Sequence, residues 1–366
     1  MTLKNFFVIT TVFFIIFLLV PDVDLWGYNE SGIEKNSPAE HTNILKMSLS
    51  MIAGLVLFLY GVTKLSDGFT ALAGDRMKKI LERFTVNRYA GVLTGAAATT
   101  IFDSSSVTII MVIAMVNAGL LSFTQSLGVI MGSNIGTTVS SQIIAFNVNA
   151  YAPIAMGVGF VMYFFIKKKW IKNTGLVLLG LGMVFFGLDY MGDVMEPLQK
   201  SKKFIGLMIK LEDPLIGALV GAGFTAVIQS SSATLGIIIT LASQGLITLP
   251  AGIAIMLGAE IGTCADTLLS TIGRSREAVR AGLFHLIFNI VTVMIGILFI
   301  NQLTDLVIRV SGNANTSRQI ANAHMLFNIA GVALFIAFVP WIAKGLIYLL
   351  PDKKDEATIE TAATTT

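Results

Sequence analysis

Charge is the scarcest commodity in this chain. Asp, Glu, Lys and Arg make up 13% of its 366 residues, about half the share of an average soluble domain. A single cysteine, Cys264, excludes an intramolecular disulfide and a thiolate metal cluster. No glycine-rich segment of the GxxxxGK type is present, which removes the sequence support for ATP-driven work. The net charge is only +3, so no nucleic-acid partner is expected. No cofactor is expected either, beyond small ions.

Hydrophobic residues fill the space that charge leaves, at 54%. Apolar runs long enough to cross a bilayer recur along the whole chain, so it reads as one polytopic membrane unit in contact with lipid throughout. Inside those runs one phrase occurs twice. Asp103-Ser104-Ser105-Ser106 is followed by Gly132-Ser133-Asn134-Ile135-Gly136-Thr137, and Gln229-Ser230-Ser231-Ser232 by Gly258-Ala259-Glu260-Ile261-Gly262-Thr263. Residue 103 aligns with 229 and residue 132 with 258, a constant offset of 126. From Gly91 to Ser141 the two copies align without a gap, with 16 of 51 positions identical. The identities gather on Gly, Ser and Thr, residues that spanning does not require. Polar breaks repeated at membrane depth are the mark of a carrier built from internal repeats.

Basic clusters set the expected topology, because Lys and Arg collect on cytoplasmic loops. A signal anchor or a cleaved signal peptide is expected over 6–20, with the anchor favoured, and an external acidic linker up to residue 43. Repeat 1 is assigned to 44–166 and repeat 2 to 174–300. A C-terminal membrane segment over 301–350 and a polar cytoplasmic tail over 351–366 complete the division. The first core helix, about Ile44 to Leu65, leads to Arg76, Lys78, Lys79, Arg83 and Arg88. A re-entrant hairpin with its tip at Asp103–Ser106 keeps the next basic cluster, Lys167 to Lys172, on the same side; a full crossing does not. Gly175-Leu176-Val177-Leu178 repeats Gly54-Leu55-Val56-Leu57, and that second copy starts from the opposite side. The fold class is therefore an all-α polytopic membrane protein of two inverted-topology repeats with broken helices and re-entrant hairpins. The last helices are expected over about Ala281 to Ile300 and Ile320 to Leu350. One external loop, with Lys200, Lys202, Lys203 and Lys210, runs against the charge rule.

A Ser-Ser-Ser run continues a helix poorly, since its hydroxyls compete for backbone hydrogen bonds. In lipid an unwound segment leaves donors and acceptors unsatisfied at several kcal/mol each, so such breaks persist where they line a cavity or bind something. Two half-helix N-termini with serine hydroxyls make an oxyanion receptor without a buried Arg or Lys. The substrate set read from this is Ser104, Ser105, Ser106, Gln229, Ser230, Ser231 and Ser232. The alternative for any one serine is helix packing or a hydrogen bond to its own helix. Asn134, Thr137, Thr138 and Ser140, with Glu260, Thr263 and Asp266, supply oxygens that suit a hard monovalent cation such as Na⁺. A simple Gly-xxx-Gly helix contact also accounts for Gly132/Gly136 and Gly258/Gly262. Asp103, Glu260 and Asp266 lie in apolar surroundings, where ionised groups are costly and functional. His285 and His324 each precede an asparagine, Asn289 and Asn328, by four residues. They read as packing pairs first and as proton relays second.

The doubled motif resembles the type II sodium/phosphate cotransporter family, whose members carry two Gln-Ser-Ser-Ser motifs on inverted repeats and Gly-x-Asn-Ile-Gly-Thr-Thr segments. The resemblance runs from about Gly54 to Pro340 and includes His285-x-x-Phe288-Asn289 and His324-x-x-Phe327-Asn328. It implies a bacterial inner-membrane symporter of inorganic phosphate and sodium, working by alternating access and not an enzyme, without a C-terminal phosphate-signalling domain. It implies that the serine triplets line the phosphate site and that Gln229, Asn134, Thr137 and Thr263 bind substrate or sodium. A homodimer is left open. Three positions depart from the family: Asp103 replaces Gln, Glu260 replaces Asn, and Asp266 stands where Ser or Thr is expected. Added carboxylates repel an anion unless cations or protons neutralise them. Asp103, Asn134, Thr137, Thr138, Glu260, Thr263 and Asp266 form the expected cation set. Export of phosphate, another oxyanion and proton coupling stand as alternatives within transport. A channel or an intramembrane hydrolase stands outside it; the hydrolase lacks a base near Ser230.

Overall fold

The structure is a computed structural model that describes residues 44–352 apart from 86, 147–148, 196–197 and 199–200. The expected signal anchor, the external linker and most of the polar tail lie outside the described residues. The described chain is all helical. Helix α1 spans Ile44–Phe84, α2 Arg88–Phe102, α3 Ser105–Asn117, α4 Phe123–Ile144 and α5 Ala152–Phe165. The second half begins with α6 Lys169–Met195, then α7 Lys202–Lys210, α8 Pro214–Ile228, α9 Ser231–Ser243, α10 Leu249–Gly262 and α11 Cys264–Leu269. Helices α12 Arg276–Leu298, α13 Ile300–Ser311, α14 Thr316–Phe335 and α15 Val339–Leu349 complete it.

By length and composition four stretches are long and apolar enough to cross a bilayer: Met47–Ala73, Lys169–Met195, Leu249–Leu269 and Arg276–Leu298. The α7–α8 and α14–α15 pairs, bent by 103° and 74°, raise the number to six if each is one span. Three expectations need correcting. The first core helix does not stop near Leu65 but runs on through the basic cluster to Phe84. Residues 71–84 (ALAGDRMKKILERF) are mostly strong helix formers and contain no proline. Between α12 and α14 lies the amphipathic helix α13, whose Leu306, Ile308 and Val310 are exposed. The last span is broken between Phe335 and Val339, just before Pro340; in a continuous helix the proline would lack an N–H and its ring would clash with the carbonyl of Ile336.

Glycine contacts set the orientation of the two halves. Gly61 of α1 packs on Val184 and Gly180 of α6, while Gly54 meets Gly187 and Gly68 meets Val177. Contacts that descend in one helix as they rise in the other make α1 and α6 antiparallel. The two repeats start with these helices, so the second is inverted relative to the first. Helix α5 runs antiparallel to α6 along Gly182–Met156, Gly159–Leu179 and Gly175–Tyr163, returning the chain to the Lys167–Lys169 turn.

Each repeat then folds a hairpin against one long helix. Thr99 and Thr108 hydroxyls are 3.0 Å apart across the α2–α3 break, where a continuous helix would separate them by about 13 Å. Their counterparts Thr225 and Thr234 are 2.8 Å apart across the α8–α9 break. Both hairpins therefore double back. A 15-residue helix reaches only about 22 Å, short of the roughly 30 Å hydrocarbon core. The first hairpin starts and ends at the basic end, because Asn117 Oδ1 accepts from Ser275 N at 2.8 Å and Gln125 Nε2 donates to Thr85 O at 3.1 Å. The second starts and ends at the other end, where Thr248 donates to Glu212 at 2.8 Å. At the basic end Arg280 is buried and ties α12 to the segment after α15 through Leu350 O (2.8 Å) and Asp352 Oδ1 (2.9 Å).

Helix α2 lies parallel to α4, and α8 parallel to α10, in one register. A Cβ on Gly95 would sit 2.1 Å from Val129 O, and one on Gly132 2.0 Å from Val92 O; for Gly221 and Gly258 the distances are 2.0 Å to Ile255 O and 1.9 Å to Ala218 O. Glycine is required here by backbone approach, so the Gly-xxx-Gly contact expected as the simpler reading is present in both copies. Gly132→Ala is expected to lower the melting temperature of the detergent-purified protein by the equivalent of about 2 kcal/mol or more, as overpacking against backbone does. Gly157→Ala, at a helical position with no atom within 4 Å, should be neutral or slightly stabilising. Equal effects of the two substitutions would refute the tight register.

Candidate functional site

The two hairpin tips repeat each other in backbone conformation and capping. Helix α2 ends at Asp103 with φ 53°, and α8 ends at Gln229 with φ 61°; among the described residues these are the only non-glycine residues with positive φ. The next residue is extended in both copies and caps the following helix: Ser104 Oγ accepts from Val107 N and Ser230 Oγ from Ala233 N, each at 3.2 Å. Thr108 and Thr234 then donate to the carbonyls of Ser104 and Ser230, both at 3.1 Å. The first serine of each triplet is thus used by the fold as an N-cap. Ser105 and Ser231 open helices α3 and α9 and are buried, as is Ser232. Their hydroxyls and the first-turn N–H groups are the donors each tip offers.

The acids occupy two separate places. Ser140 Oγ of α4 donates to Asp103 Oδ1 through a short hydrogen bond. At the other tip-facing position, Asp266 of the second repeat lies near Ser106 of the first hairpin, and its Oδ1 is buried without a hydrogen-bond partner. The first tip therefore reaches into the opposite repeat. The three threonines of the expected cation set return their hydroxyls to their own helices: Thr137 to Ser133 O (3.1 Å), Thr138 to Ile135 O (2.7 Å) and Thr263 to Ala259 O (2.9 Å). Their oxygen lone pairs stay available as acceptors.

Asn134 and Glu260 face away from the tips, into a buried polar network with α12 and α14. Asn134 Nδ2 donates to Asn289 Oδ1 at 2.6 Å, and Asn289 Nδ2 donates to Glu260 O and His285 Nε2, both at 3.0 Å. His285 Nδ1 lies 2.9 Å from Thr267 Oγ1. In the matching half, Glu260 Oε1 accepts from His324 Nε2 at 2.7 Å and from Asn328 Nδ2 at 3.1 Å, while His324 Nδ1 lies 2.6 Å from Ser141 Oγ. Position 141 is 126 before 267, and 134 is 126 before 260. Each histidine helix thus clips both repeats, through the asparagine on one and the imidazole on the other. The partners also fix the proton positions. His285 Nε2 accepts, so its proton is on Nδ1; His324 Nε2 faces a carboxylate, so a proton is there. His285–Asn289 is the expected packing pair, whereas Asn328 bonds the His324 backbone oxygen at 3.1 Å.

Geometry thus divides the expected cation set by helix face. Residues 132, 136 and 140 of α4 look at the hairpin, and 134 and 141 look at α12 and α14. Asp103 and Asp266 stand with the serine tips; Asn134 and Glu260 do not. Sequence reasoning passed over Ser141 and Thr267 as histidine partners. Their equivalence at the offset of 126 was the available signal.

A chain whose halves enter from opposite ends, each with a broken hairpin laid on a long helix, has the architecture of inverted-repeat membrane transporters. The model of the Na+/Pi-cotransporter family matches residues 57–193 and 199–343, and the chain belongs to that family. It is 28% identical over 306 residues to the uncharacterized protein YqeW of Bacillus subtilis, covering 83% of this chain and 99% of that one. It is 22% identical over 308 residues to the "Putative inorganic phosphate export protein YjbB" of Salmonella typhimurium, with 84% of this chain aligned and 56% of that protein spanned. A 106-residue stretch, 28% of this chain and 16% of the other, is 36% identical to sodium-dependent phosphate transport protein 2A of Mus musculus. No solved structure matches.

Glu260 gives the network its test. Glu260→Ala strands two buried donors, and a loss of about 3–5 kcal/mol is expected, as for breaking a buried pair. Glu260→Gln keeps an acceptor oxygen and should cost only about 1 kcal/mol. Thermal unfolding in detergent reads both; equal losses would separate His324 and Asn328 from the carboxylate.

Proposed function

We propose that this protein carries inorganic phosphate across the bacterial inner membrane in symport with sodium, by alternating access. The observation that carries the reading is the pair of matched tips. Two helices begin inside the protein, from opposite ends, each with serine hydroxyls and first-turn N–H groups available to an oxyanion. Ser105, Ser106, Ser231 and Ser232 bind phosphate; Ser104 and Ser230 hold the helix starts in place. Gln229 ends one helix at the second tip, where Asp103 ends its counterpart at the first. Sodium coupling is supported by the Ser140 hydroxyl on Asp103, by the buried unpartnered oxygen of Asp266 and by the name of the murine relative. Cations neutralise the carboxylates, and the anion then docks.

Alternating access follows from the construction. Among the described residues no backbone–backbone hydrogen bond joins the two repeats, and each carries its own hairpin on its own long helix. Rocking one unit against the other exposes the tips first at one end and then at the other. A second reading, phosphate export, is favoured by the name of the YjbB relative, which aligns over most of this chain. The binding chemistry is the same in both; the gradients decide the direction.

Purified protein in sealed vesicles tests the proposal. Labelled phosphate should enter under an inward sodium gradient, and replacing sodium by choline at fixed pH should remove most uptake. Phosphate movement that follows a proton gradient and ignores sodium would overturn the coupling. Ser105→Ala and Ser231→Ala should each reduce uptake by roughly 10- to 100-fold, the worth of one hydrogen bond to a charged group, with the melting temperature retained. Normal uptake by either variant would refute the symmetric two-tip site.

A further inference from the structure

Two helices at the end opposite the basic clusters are built alike, and the transport reading uses neither. Met208 and Leu211 of the α7 segment, Ile300, Leu303 and Val307 of α13, and Leu249 at the start of α10 share one hydrophobic cluster there. On α7 the line turned to the protein is Phe204, Met208 and Leu211, spaced i, i+4, i+7. Leu207 flanks that line on one side, Ile205 and Ile209 on the other, and all three are exposed. On α13 the line is Ile300, Leu303 and Val307, with Leu306 and Val310 exposed on one flank and Ile308 on the other. Each apolar stripe is therefore wider than the surface that the protein covers.

The direction of α7 says what covers its flanks. It meets α8 at 103°, and α8 lies along the membrane-crossing stretch Leu249–Leu269, so α7 runs close to the membrane plane. By helical register its remaining arc carries Lys202, Lys203 and Lys210. Apolar flanks with lysines opposite are the pattern of a helix lying in the head-group layer. The charge rule gives lysines no place at this end. Ahead of Asn87, the cap of the first hairpin, Arg76, Lys78, Lys79 and Arg83 obey that rule; ahead of Asp213, the matching cap at the offset of 126, the lysines break it. Inversion puts the two segments at opposite surfaces, so topology explains only the first. The acids that follow Lys210 are engaged by the fold: Glu212 accepts from Thr248 Oγ1, and Asp213 from the N–H groups of Leu215 and Ile216. The arc of α13, with Asn301, Gln302, Asp305 and Arg309, is balanced in charge.

We infer that α7 lies in the head-group layer and binds anionic lipid head groups through Lys202, Lys203 and Lys210, while α13 lies at the same surface as a charge-balanced anchor. A lipid fits where a free anion does not, because its acyl chains cover Ile205, Leu207 and Ile209. Three residues, 211–213, join α7 to the first arm of the second hairpin. A head group that holds α7 therefore fixes the depth and angle at which that hairpin enters. The inference is independent of which ion and which anion the protein carries.

The test is amide hydrogen exchange of the full chain in nanodiscs of phosphatidylcholine alone and with phosphatidylglycerol added. Exchange over 202–211 should slow by roughly tenfold or more in the anionic lipid, since each lysine near such a surface is worth about fivefold. Exchange over 300–311 should be the same in both. Lys202→Gln/Lys203→Gln/Lys210→Gln should lose the response, and Lys202→Arg/Lys203→Arg/Lys210→Arg should keep it. The melting temperature in neutral nanodiscs reports whether each variant folds, and the wild-type comparison decides without them. Equal wild-type rates over 202–211 in the two lipids, the result for a face that docks a protein partner, overturn the inference. So does equal slowing of 202–211 and 300–311, which reports bilayer composition and not recognition by the lysines. Slowing in neutral nanodiscs on addition of inorganic phosphate would assign the lysines to a free anion and overturn the lipid as ligand. A failed phosphate-uptake assay leaves each of these outcomes unchanged.

Discussion

The contact on which the rest of this molecule depends is backbone against backbone, where the glycines of α4 and α10 meet the carbonyls of α2 and α8. Half-length helices are poor residents of a bilayer. Each leaves a terminus in hydrocarbon with several unsatisfied groups, and hydrophobic burial does not drive helices together in lipid. What holds α2 and α8 in place is close approach, with glycine leaving no side chain between the two backbones. Once they are laid down in that register, the positions of the tips follow. So does the meeting of residue 103 with residue 140, about two turns beyond Gly132 along the same ladder of contacts.

A second layer of order comes from α12 and α14. Each inserts a histidine and an asparagine, one turn apart, between the repeats. In a low-dielectric interior such a network is strong only when every member is satisfied, and the partners here are nearly all accounted for. The network therefore works as a pair of clasps at one level of the protein, while the tips lie on the opposite faces of the same long helices. On the proposed alternating-access reading, a motion that rocks one repeat turns about the clasps, because breaking them would strand buried donors. The polar groups that are fully bonded belong to this network, and those with spare valence lie at the tips.

Much of this was legible in the sequence, because the chain supplies its own alignment. The offset of 126 located both tips and both glycine ladders, while the match of Gly175–Leu178 to Gly54–Leu57 and the basic clusters indicated the inversion and chose the hairpin over a full crossing. The extension of α1 was hidden by its charges, which suggest a loop even though Ala, Leu, Lys and Arg also favour helix. Helix α13 was hidden by its mixed surface: it buries Ile300 and Val307, leaves Leu306, Ile308 and Val310 exposed among polar residues, and so has no long hydrophobic run. The network was illegible for a different reason. Asn134 and Asn289 are 155 residues apart, and no periodicity in one sequence pairs them. The grouping of Asn134 with Asp103 did not anticipate that Asn134 and Ser140, both on α4, look in different directions, one at Asn289 and the other at Asp103.

The left-handed residues at the tips have a consequence for how this protein would change under selection. A side chain at positive φ costs of order 1 kcal/mol that glycine does not incur, and the chain accepts that cost twice, at Asp103 and Gln229. Glycine is abundant elsewhere in it, so its absence at these two positions is not for want of supply. A population selected only for heat resistance would drift toward glycine at 103 and 229, gaining backbone ease while losing the groups the tips present. Thermostable isolates would then be found among the idle carriers. Strain at two residues marks where durability and turnover pull the sequence in opposite directions.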